Sequence, residues 1–225
     1  MTRERLPEYV TAMEAFLSGD YHRAEEAITA AVEKVPDDVR LLHLLGNIKY
    51  TIGRLREASA AYEKVIAHDP TACEAYYKLG VCYVRMGELH KALPAFTKNV
   101  EGNCHGHVMS YYWMGLINSF LGNDEAAQQA FTLLHEESSE SKLANFFLAQ
   151  LHLRRNETAP AMRLLEELLA MSPEFAEAHF LLGQAYSQSH DTVNAIRCYR
   201  KTLELNPSDK RARLEYERLV DVPSI

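Results

Sequence analysis

The chain has 225 residues, 47% of them hydrophobic and 24% charged, with a formal net charge of −7. This composition excludes wholesale disorder, and the acidic balance disfavours nucleic acid or an anionic membrane as a partner, since both bind clustered Lys and Arg. No apolar run is long enough to predict a transmembrane helix, and the first residues lack the apolar core of a signal peptide. Unless a leader precedes these residues, we expect a cytoplasmic protein without direct membrane insertion.

Proline spacing divides the chain into repeats. Pro36 and Pro70 lie 34 residues apart, as do Pro173 and Pro207, and Pro70 to Pro173 is 103 residues, which is three times 34 plus one. The extra residue is assigned to His107, between the third and fourth units. The predicted units are residues 5–38, 39–72, 73–106, 108–141, 142–175 and 176–209.

Each unit predicts two helices that pack on each other. Counted from the first residue of a unit, position 20 is Ala in all six, position 8 is always Ala or Gly, and position 24 is always large and apolar. Apolar residues at positions 4, 7 and 11 give the first helix an apolar face, and those at 20, 24 and 27 do the same for the second. The small residues at positions 8 and 20 allow the two helices to approach closely.

The ends of the predicted helices are also marked. Position 15 is Gly in the first four units and then Asn156 and His190, the residue types that best tolerate left-handed backbone after a helix. Pro94 falls inside the second helix of the third unit, where it predicts a kink or a late start. Residues 210–220 predict a capping helix that turns Leu214 and Leu219 toward the last repeat, and the tail to residue 225 is expected to fray.

These columns of residues resemble the tetratricopeptide repeat (TPR) family over residues 5–209. The resemblance implies an all-α fold, a right-handed superhelical solenoid of antiparallel helix pairs. It also implies a concave groove lined by first-helix positions 2, 5, 6, 9, 12 and 13, which we call the groove positions. A protein or peptide partner is implied as well, and no cofactor.

The groove positions of the fourth and fifth units are unusually apolar. Their large side chains predict an exposed apolar patch of the kind that marks an interaction site, with aromatic anchors typical of binding hot spots. The alternative is that some of them, above all Trp113 and Phe147 at position 6, pack between adjacent repeats. Lys78 and Arg154 are expected to orient acidic groups at the rim. The candidate groove residues are Asn47, Tyr77, Lys78, Tyr112, Trp113, Leu116, Phe120, Phe146, Phe147, Arg154 and Phe180.

The carboxylate clamp with which some TPR proteins hold chaperone tails is not predicted, because only Asn47 matches the residues that it needs. The partner is therefore expected to be an apolar or amphipathic segment, either helical or extended. The leading hypothesis is a non-catalytic scaffold or adaptor. It acts as a secretion-type chaperone, or it self-assembles through residues 5–38, whose Tyr9, Met13, Phe16 and Leu17 fill the groove of another copy. The alternative is a pilus or envelope assembly factor of the pilotin type, which also resembles a six-repeat TPR array and needs a leader.

Sequence motifs for catalysis are missing, which predicts that the chain is not an enzyme. The sequence has no glycine-rich phosphate loop, no nucleophile elbow and no zinc-protease motif. Cys104, His105 and His107 are weak metal-ligand candidates, but with no second cluster at ligand spacing we expect no bound metal. The four cysteines form no C-x-x-C pair and are expected to be reduced thiols, some of them filling the core.

Overall fold

The computed structural model describes residues 6–102, 108–138 and 142–220, and in these ranges it contains thirteen α-helices and no strand. Two compact units divide the chain, Met1–Ile117 and Asn118–Ile225. The first helices of the six repeats are α1 (Pro7–Ser18), α3 (Val39–Thr51), α5 (Cys73–Arg85), α7 (Val108–Phe120), α9 (Lys142–Arg154) and α11 (Ala176–Gln188). The second helices are α2 (Tyr21–Lys34), α4 (Leu55–His68), α6 (Leu89–Glu101), α8 (Asp124–Glu137), α10 (Thr158–Met171) and α12 (Thr192–Leu205), followed by α13 (Lys210–Val220).

The two helices of a repeat pack most closely where a small residue of the first helix contacts a large ring of the second. In three repeats a Cβ added to the glycine at position 8 would lie only 2.6 to 2.7 Å from the ring at position 24. A larger side chain therefore cannot enter without moving the ring, which is fully or almost fully buried. The three pairs are Gly46–Tyr62, Gly80–Phe96 and Gly183–Tyr199.

The alanine column at position 20 lies at the same joint. All six of these alanines have zero exposure, which confirms that the column exists for close helix packing and not for helix propensity alone. In each compact unit the core then continues from one repeat to the next through consecutive helices.

The turn between the two helices of a repeat uses left-handed backbone, as predicted. Gly19, Gly53, Gly87 and Gly122 have φ between 77° and 82°. Asn156 and His190 adopt the same conformation without being glycine, at φ 60° and 64°. Pro94 lies within α6, which begins at Leu89, so the late helix start considered from the sequence is wrong.

The capping helix α13 forms where it was predicted, but one of its contacts differs. Ala212 is fully buried, and Tyr216 and Leu219 pack against the last core cluster. Leu214 is 65% exposed, so the expectation that it faces the last repeat is wrong. The buried residues are spaced i, i+4 and i+7 and define one face, whereas Leu214 is two residues beyond Ala212 and points elsewhere. Each helix in the described ranges is too short or too polar to cross a bilayer.

Candidate functional site

The aromatic rings at groove position 6 lie between repeats. Trp113 stacks on Phe96, with ring centroids 6.3 Å apart and planes 9° apart, and Phe147 stacks on Phe131 at 4.9 Å and 9°. In both cases the partner ring is the position-24 residue of the preceding repeat. The structure thus places Trp113 and Phe147 in the packing arrangement that the sequence left open, although both keep partial exposure.

The rings at position 5 are also engaged, to different degrees. Tyr77 meets Phe96 edge-on at 5.9 Å and remains half-buried. Phe146 is half-buried and packs against Phe175, with centroids 5.5 Å apart. Phe180 is only 5% exposed: its ring packs on Tyr199 of its own repeat, with centroids 5.8 Å apart, and the Arg211 guanidinium of α13 lies 4.6 Å from its centroid. Its expected place on the groove surface is therefore wrong, since the ring is part of the core.

The apolar patch predicted for the fourth and fifth repeats is smaller than expected. It was predicted from six large side chains, which are Tyr112, Trp113, Leu116, Phe120, Phe146 and Phe147. Tyr112 is half-buried and meets Trp113 edge-on at 5.4 Å, and Leu116 is half-buried as well. Phe120 alone among the six is exposed, at 80%. The rings at position 6 are half-buried against the second helix of the preceding repeat, whereas Phe120 at position 13 has no ring partner among the contacts of the described residues.

Position 13 is the rim of the groove, and its side chain usually reaches back to position 12 of the preceding repeat. This relation occurs three times within the compact units, once as a cation on a ring and twice as a hydrogen bond. Thr51 has the same position and donates instead to the Asn47 carbonyl of its own helix, and Phe120 is the aromatic residue at this position, with a side chain that is 80% exposed. The three contacts are Arg85 over the Tyr50 ring at 4.8 Å, Arg154 Nη2 to Ser119 Oγ at 3.1 Å and Gln188 Nε2 to the Leu153 carbonyl at 3.5 Å.

The two basic groove residues differ in their surroundings. Arg154 Nη2 lies 2.6 Å from a carboxylate oxygen of Asp124, so its charge is already compensated within the protein. Lys78 is half-buried on α5, the helix that also carries Arg85 and Cys82. Burial raises the pKa of the Cys82 thiol to about 11, although the nearby charges of Arg85 and Lys78 act to lower it. Cys82 therefore stays protonated at neutral pH and is a core thiol, not a nucleophile.

The Asn47 side chain is held by two neighbours within the first compact unit, Met1–Ile117. The Tyr62 hydroxyl donates to Asn47 Oδ1 at 2.7 Å, and Asn47 Nδ2 lies 3.3 Å from His43 Nδ1. Asn47 and His43 border a cavity of about 400 Å³. Its other lining residues are Tyr9, Met13, Val39, Arg40, Leu44, Val65, Ala72, Cys73, Glu74 and Ala75.

A second cavity, of about 370 Å³, is lined by groove positions of the fifth and sixth repeats, in the second compact unit. Leu153 and Leu181 are nearly buried in it, while the amides of Gln150 and Gln184 are half-buried. The sequence places these two glutamines at groove position 9 but does not select them as candidates, because an amide has neither charge nor a large apolar surface. Their recurrence at position 9 of successive repeats is the signal. Arg154 and Gln188 complete the lining.

The cysteines and the metal-ligand candidates have separate outcomes. Cys104, His105 and His107 lie outside the described residues. Within the described residues, no group of three or more His, Cys, Asp or Glu side chains is placed to hold a metal ion. Cys82 and Cys198 are buried free thiols, whereas Cys73 is disulfide-bonded, which corrects the expectation of reduced cysteines for that residue.

Paired helices, small-on-aromatic joints and left-handed turns define an all-α helical-repeat protein. Family profiles described as TPR repeat and tetratricopeptide repeat match residues 46–87, 74–101 and 176–209. The chain is a tetratricopeptide repeat protein with the TPR solenoid fold.

Solved structures agree on the fold. YrrB, described as a TPR protein with an unusual peptide-binding site, is 22% identical, with a TM-score of 0.76 and coverage of 87% of this chain and 100% of its own. A TPR protein of Cytophaga hutchinsonii is 17% identical, with a TM-score of 0.78 and coverage of 94% and 88%. PilF of Pseudomonas aeruginosa is 15% identical, with a TM-score of 0.72 and coverage of 95% of both chains. At these identities the likeness establishes the fold alone.

Proposed function

We propose that the chain is a non-catalytic scaffold or adaptor that binds a segment of a partner protein on the groove positions of its first helices. The TPR fold supports a protein-interaction scaffold in general. The observation that supports this particular surface is Phe120, the aromatic residue at position 13, whose side chain is 80% exposed.

An exposed Phe is costly in water and valuable in an interface. Fully burying a Phe side chain is worth about 1.5–3 kcal/mol relative to leaving it in water, so a partner that covers the ring gains part of this free energy. Leu143, at position 2 of the fifth repeat, adds a second side chain that is 44% exposed. These groups favour an apolar or amphipathic segment as the ligand, in agreement with the sequence prediction.

The self-assembling form of this proposal has less support. Tyr9, Met13 and Phe16 of the first repeat pack against the core cluster of their own unit. Leu17 alone of the four predicted contact residues is strongly exposed, at 78%. Insertion of the first repeat into another copy would therefore depend on Leu17 or would require the repeat to open.

The test compares Phe120→Ser with Val193→Ser. Val193 is 71% exposed on the second helix α12, away from the groove positions, so its substitution makes a similar loss of exposed apolar surface at a different place. We expect both variants to keep the helical circular dichroism spectrum and the thermal midpoint. Partner proteins recovered with the wild type and re-bound in purified form should bind Val193→Ser but not Phe120→Ser. Equal binding by both variants would contradict the proposal.

One observation favours the envelope assembly factor as a second candidate. Cys73 is disulfide-bonded, and disulfides persist in oxidising compartments such as the bacterial periplasm. Alkylation of the protein isolated from its native cell under denaturing, non-reducing conditions tests this point. Fewer than four labelled cysteines supports an oxidising location, and labelling of all four contradicts it.

A further inference from the structure

We propose that copies of this chain associate head to tail, with the capping helix α13 of one copy against α1 of the next. Three of the five most exposed large apolar side chains in the described residues lie on these two helices. They are Leu17, Leu214 and Val220, at 78%, 65% and 49%. The inference goes beyond the proposed function, because the contact uses neither Phe120 nor the apolar side chains of the fourth and fifth repeats.

Helix α1 has a face that other first helices bury against the preceding repeat. Leu44 and Ile48 stand at positions 6 and 10 of the second repeat, and both lie in one core cluster with residues of α2. Position 10 is buried in each later repeat, as Ile48, Cys82, Ile117, Leu151 and Ala185. In the first repeat these positions are Val10 and Glu14, which are exposed, and Leu17 follows one turn later. These three residues are the α1 face.

Helix α13 is built as the first helix of a further repeat. Ala212 stands at position 3, where the small residues of the third to sixth repeats also have zero exposure. Positions 4 and 8 of a first helix face the second helix of the same repeat, as the Asn145–Glu167 hydrogen bond and the glycine–ring contacts show. In α13 these positions are Arg213 and Glu217, and both are exposed. A cavity of about 400 Å³ opens here, and we call its lining the α13 face: Ser208, Lys210, Arg213, Leu214 and Glu217.

The charges of the two faces are complementary. Glu14 and Lys210 form no ion pair within the described residues, and Arg213 donates to the Pro207 carbonyl at 2.8 Å without a carboxylate partner there. Residues 5–38 contain eight acidic and three basic residues, whereas residues 192–220 contain seven basic and four acidic ones. Opposite fields attract the α1 face of one copy to the α13 face of another, and contacts between like faces are repelled. The contact is therefore heterologous.

The apolar side chains supply the part of the contact that charge does not. Leu17 and Leu214 lose exposed surface when the faces meet, whereas an exposed ion pair contributes little by itself. The helices have 12 and 11 residues, so each face is about 17 Å long and they match in length. A contact between two such helices is far smaller than a standard interface of about 1,600 Å², so association should be weak and depend on concentration.

Sedimentation equilibrium of the full chain between about 10 μM and 1 mM measures this association. Glu14→Arg and Arg213→Glu each replace an attraction with a repulsion and should weaken it by about three-fold to thirty-fold. Glu33→Arg makes the same change of charge at an exposed position of α2, away from the α1 face, and should associate like the wild type. Circular dichroism should show the same helical content and thermal midpoint for all variants, because each substituted side chain is exposed.

The charge swap is the decisive variant. Glu14→Arg and Arg213→Glu in one chain should restore the association that either substitution alone weakens, and Glu33→Arg with Arg213→Glu should not. A wild type that stays monomeric over the whole range overturns the inference, as does a swap that stays dissociated. Weakening by only one of the two single substitutions would indicate a contact between like faces and also overturns it. Phe120→Ser should associate like the wild type, and its dissociation would overturn the inference by assigning the contact to the groove.

Discussion

Asn99 of α6 accepts a hydrogen bond from the hydroxyl of Ser110 on α7 at 2.7 Å, and both side chains are buried. The other end of the same amide donates to the Cys73 carbonyl at the start of α5, at 2.8 Å. The Asn99 side chain therefore joins α5, α6 and α7 within the first compact unit. Thr202 stands at the equivalent position of the last repeat and donates to the Ala176 carbonyl at 3.4 Å, so the device recurs where the residue type differs.

Replacing Asn99 with Ala should destabilise the chain by about 2–3 kcal/mol, because it leaves the Ser110 hydroxyl and the Cys73 carbonyl without their partner in a buried place. Urea unfolding followed by circular dichroism measures the change. The exposed substitution Gln129→Ala is the control and should stay within about 0.5 kcal/mol of the wild type. An Asn99 variant as stable as this control would show that the three-helix junction contributes little.

Gly80→Ala should destabilise the third repeat by about 1–3 kcal/mol, because its Cβ would lie 2.7 Å from the Phe96 ring. A second substitution, Phe96→Leu, removes the ring and makes room for the methyl group. In the double-mutant cycle the cost of Gly80→Ala should therefore be smaller on the Phe96→Leu background. Strictly additive losses would mean that the glycine is needed for a reason other than the ring.

The close packing of the two helices in a repeat can be predicted from the sequence. The exposure of the side chains at the groove positions cannot. The glycine and alanine columns predict close helix pairs because their sizes recur at fixed positions. The column of position 6 contains Trp113 and Phe147, and periodicity alone does not say whether such a ring faces the groove or the preceding repeat. Phe180 has the same ambiguity, and only the structure shows that its ring is covered by Tyr199 of its own repeat and by Arg211 of α13.

Lys49 joins two repeats through charge. It is buried, and its ammonium lies 2.6 Å from a Glu25 carboxylate oxygen and 2.5 Å from one of Glu57. The hydrogen bond from Lys49 is the main cause that lowers the pKa of Glu25 below its ordinary value of 4.5. A carboxylate with a lowered pKa stabilises the folded state above its unfolded pKa and loses that contribution as pH falls through its folded pKa.

The free energy of unfolding should therefore decrease as the pH falls below about 4.5, and part of that decrease should belong to Glu25. Lys49→Met should reduce this part, leaving the smaller effect of Arg54 on Glu25, in addition to lowering stability at neutral pH by leaving Glu25 without its buried partner. Urea titrations of both proteins between pH 3 and pH 7 measure the two slopes. Parallel curves would contradict the assignment of the pH dependence to this pair.

Burial raises the pKa values of the Cys82 and Cys198 thiols to about 11 each. At pH 8 both thiols are protonated in the folded chain, and their low accessibility slows reagents further. A maleimide should therefore label them rapidly only after unfolding by guanidinium, which peptide mass spectrometry can follow residue by residue. Fast labelling of either cysteine in the native protein would mean that its helix pair opens readily.

The most direct test of the central claim places a benzoyl-phenylalanine photo-crosslinker at position 120 and, in a matched protein, at position 193. Both positions are strongly exposed, at 80% and 71%, but only the first lies on the groove rim. Irradiation in the native cell should join the position-120 protein to a partner through one contiguous segment of that partner. The position-193 protein should give no such product. Equal crosslinking from both positions, or crosslinking from position 193 alone, would contradict a partner-binding role for the groove positions.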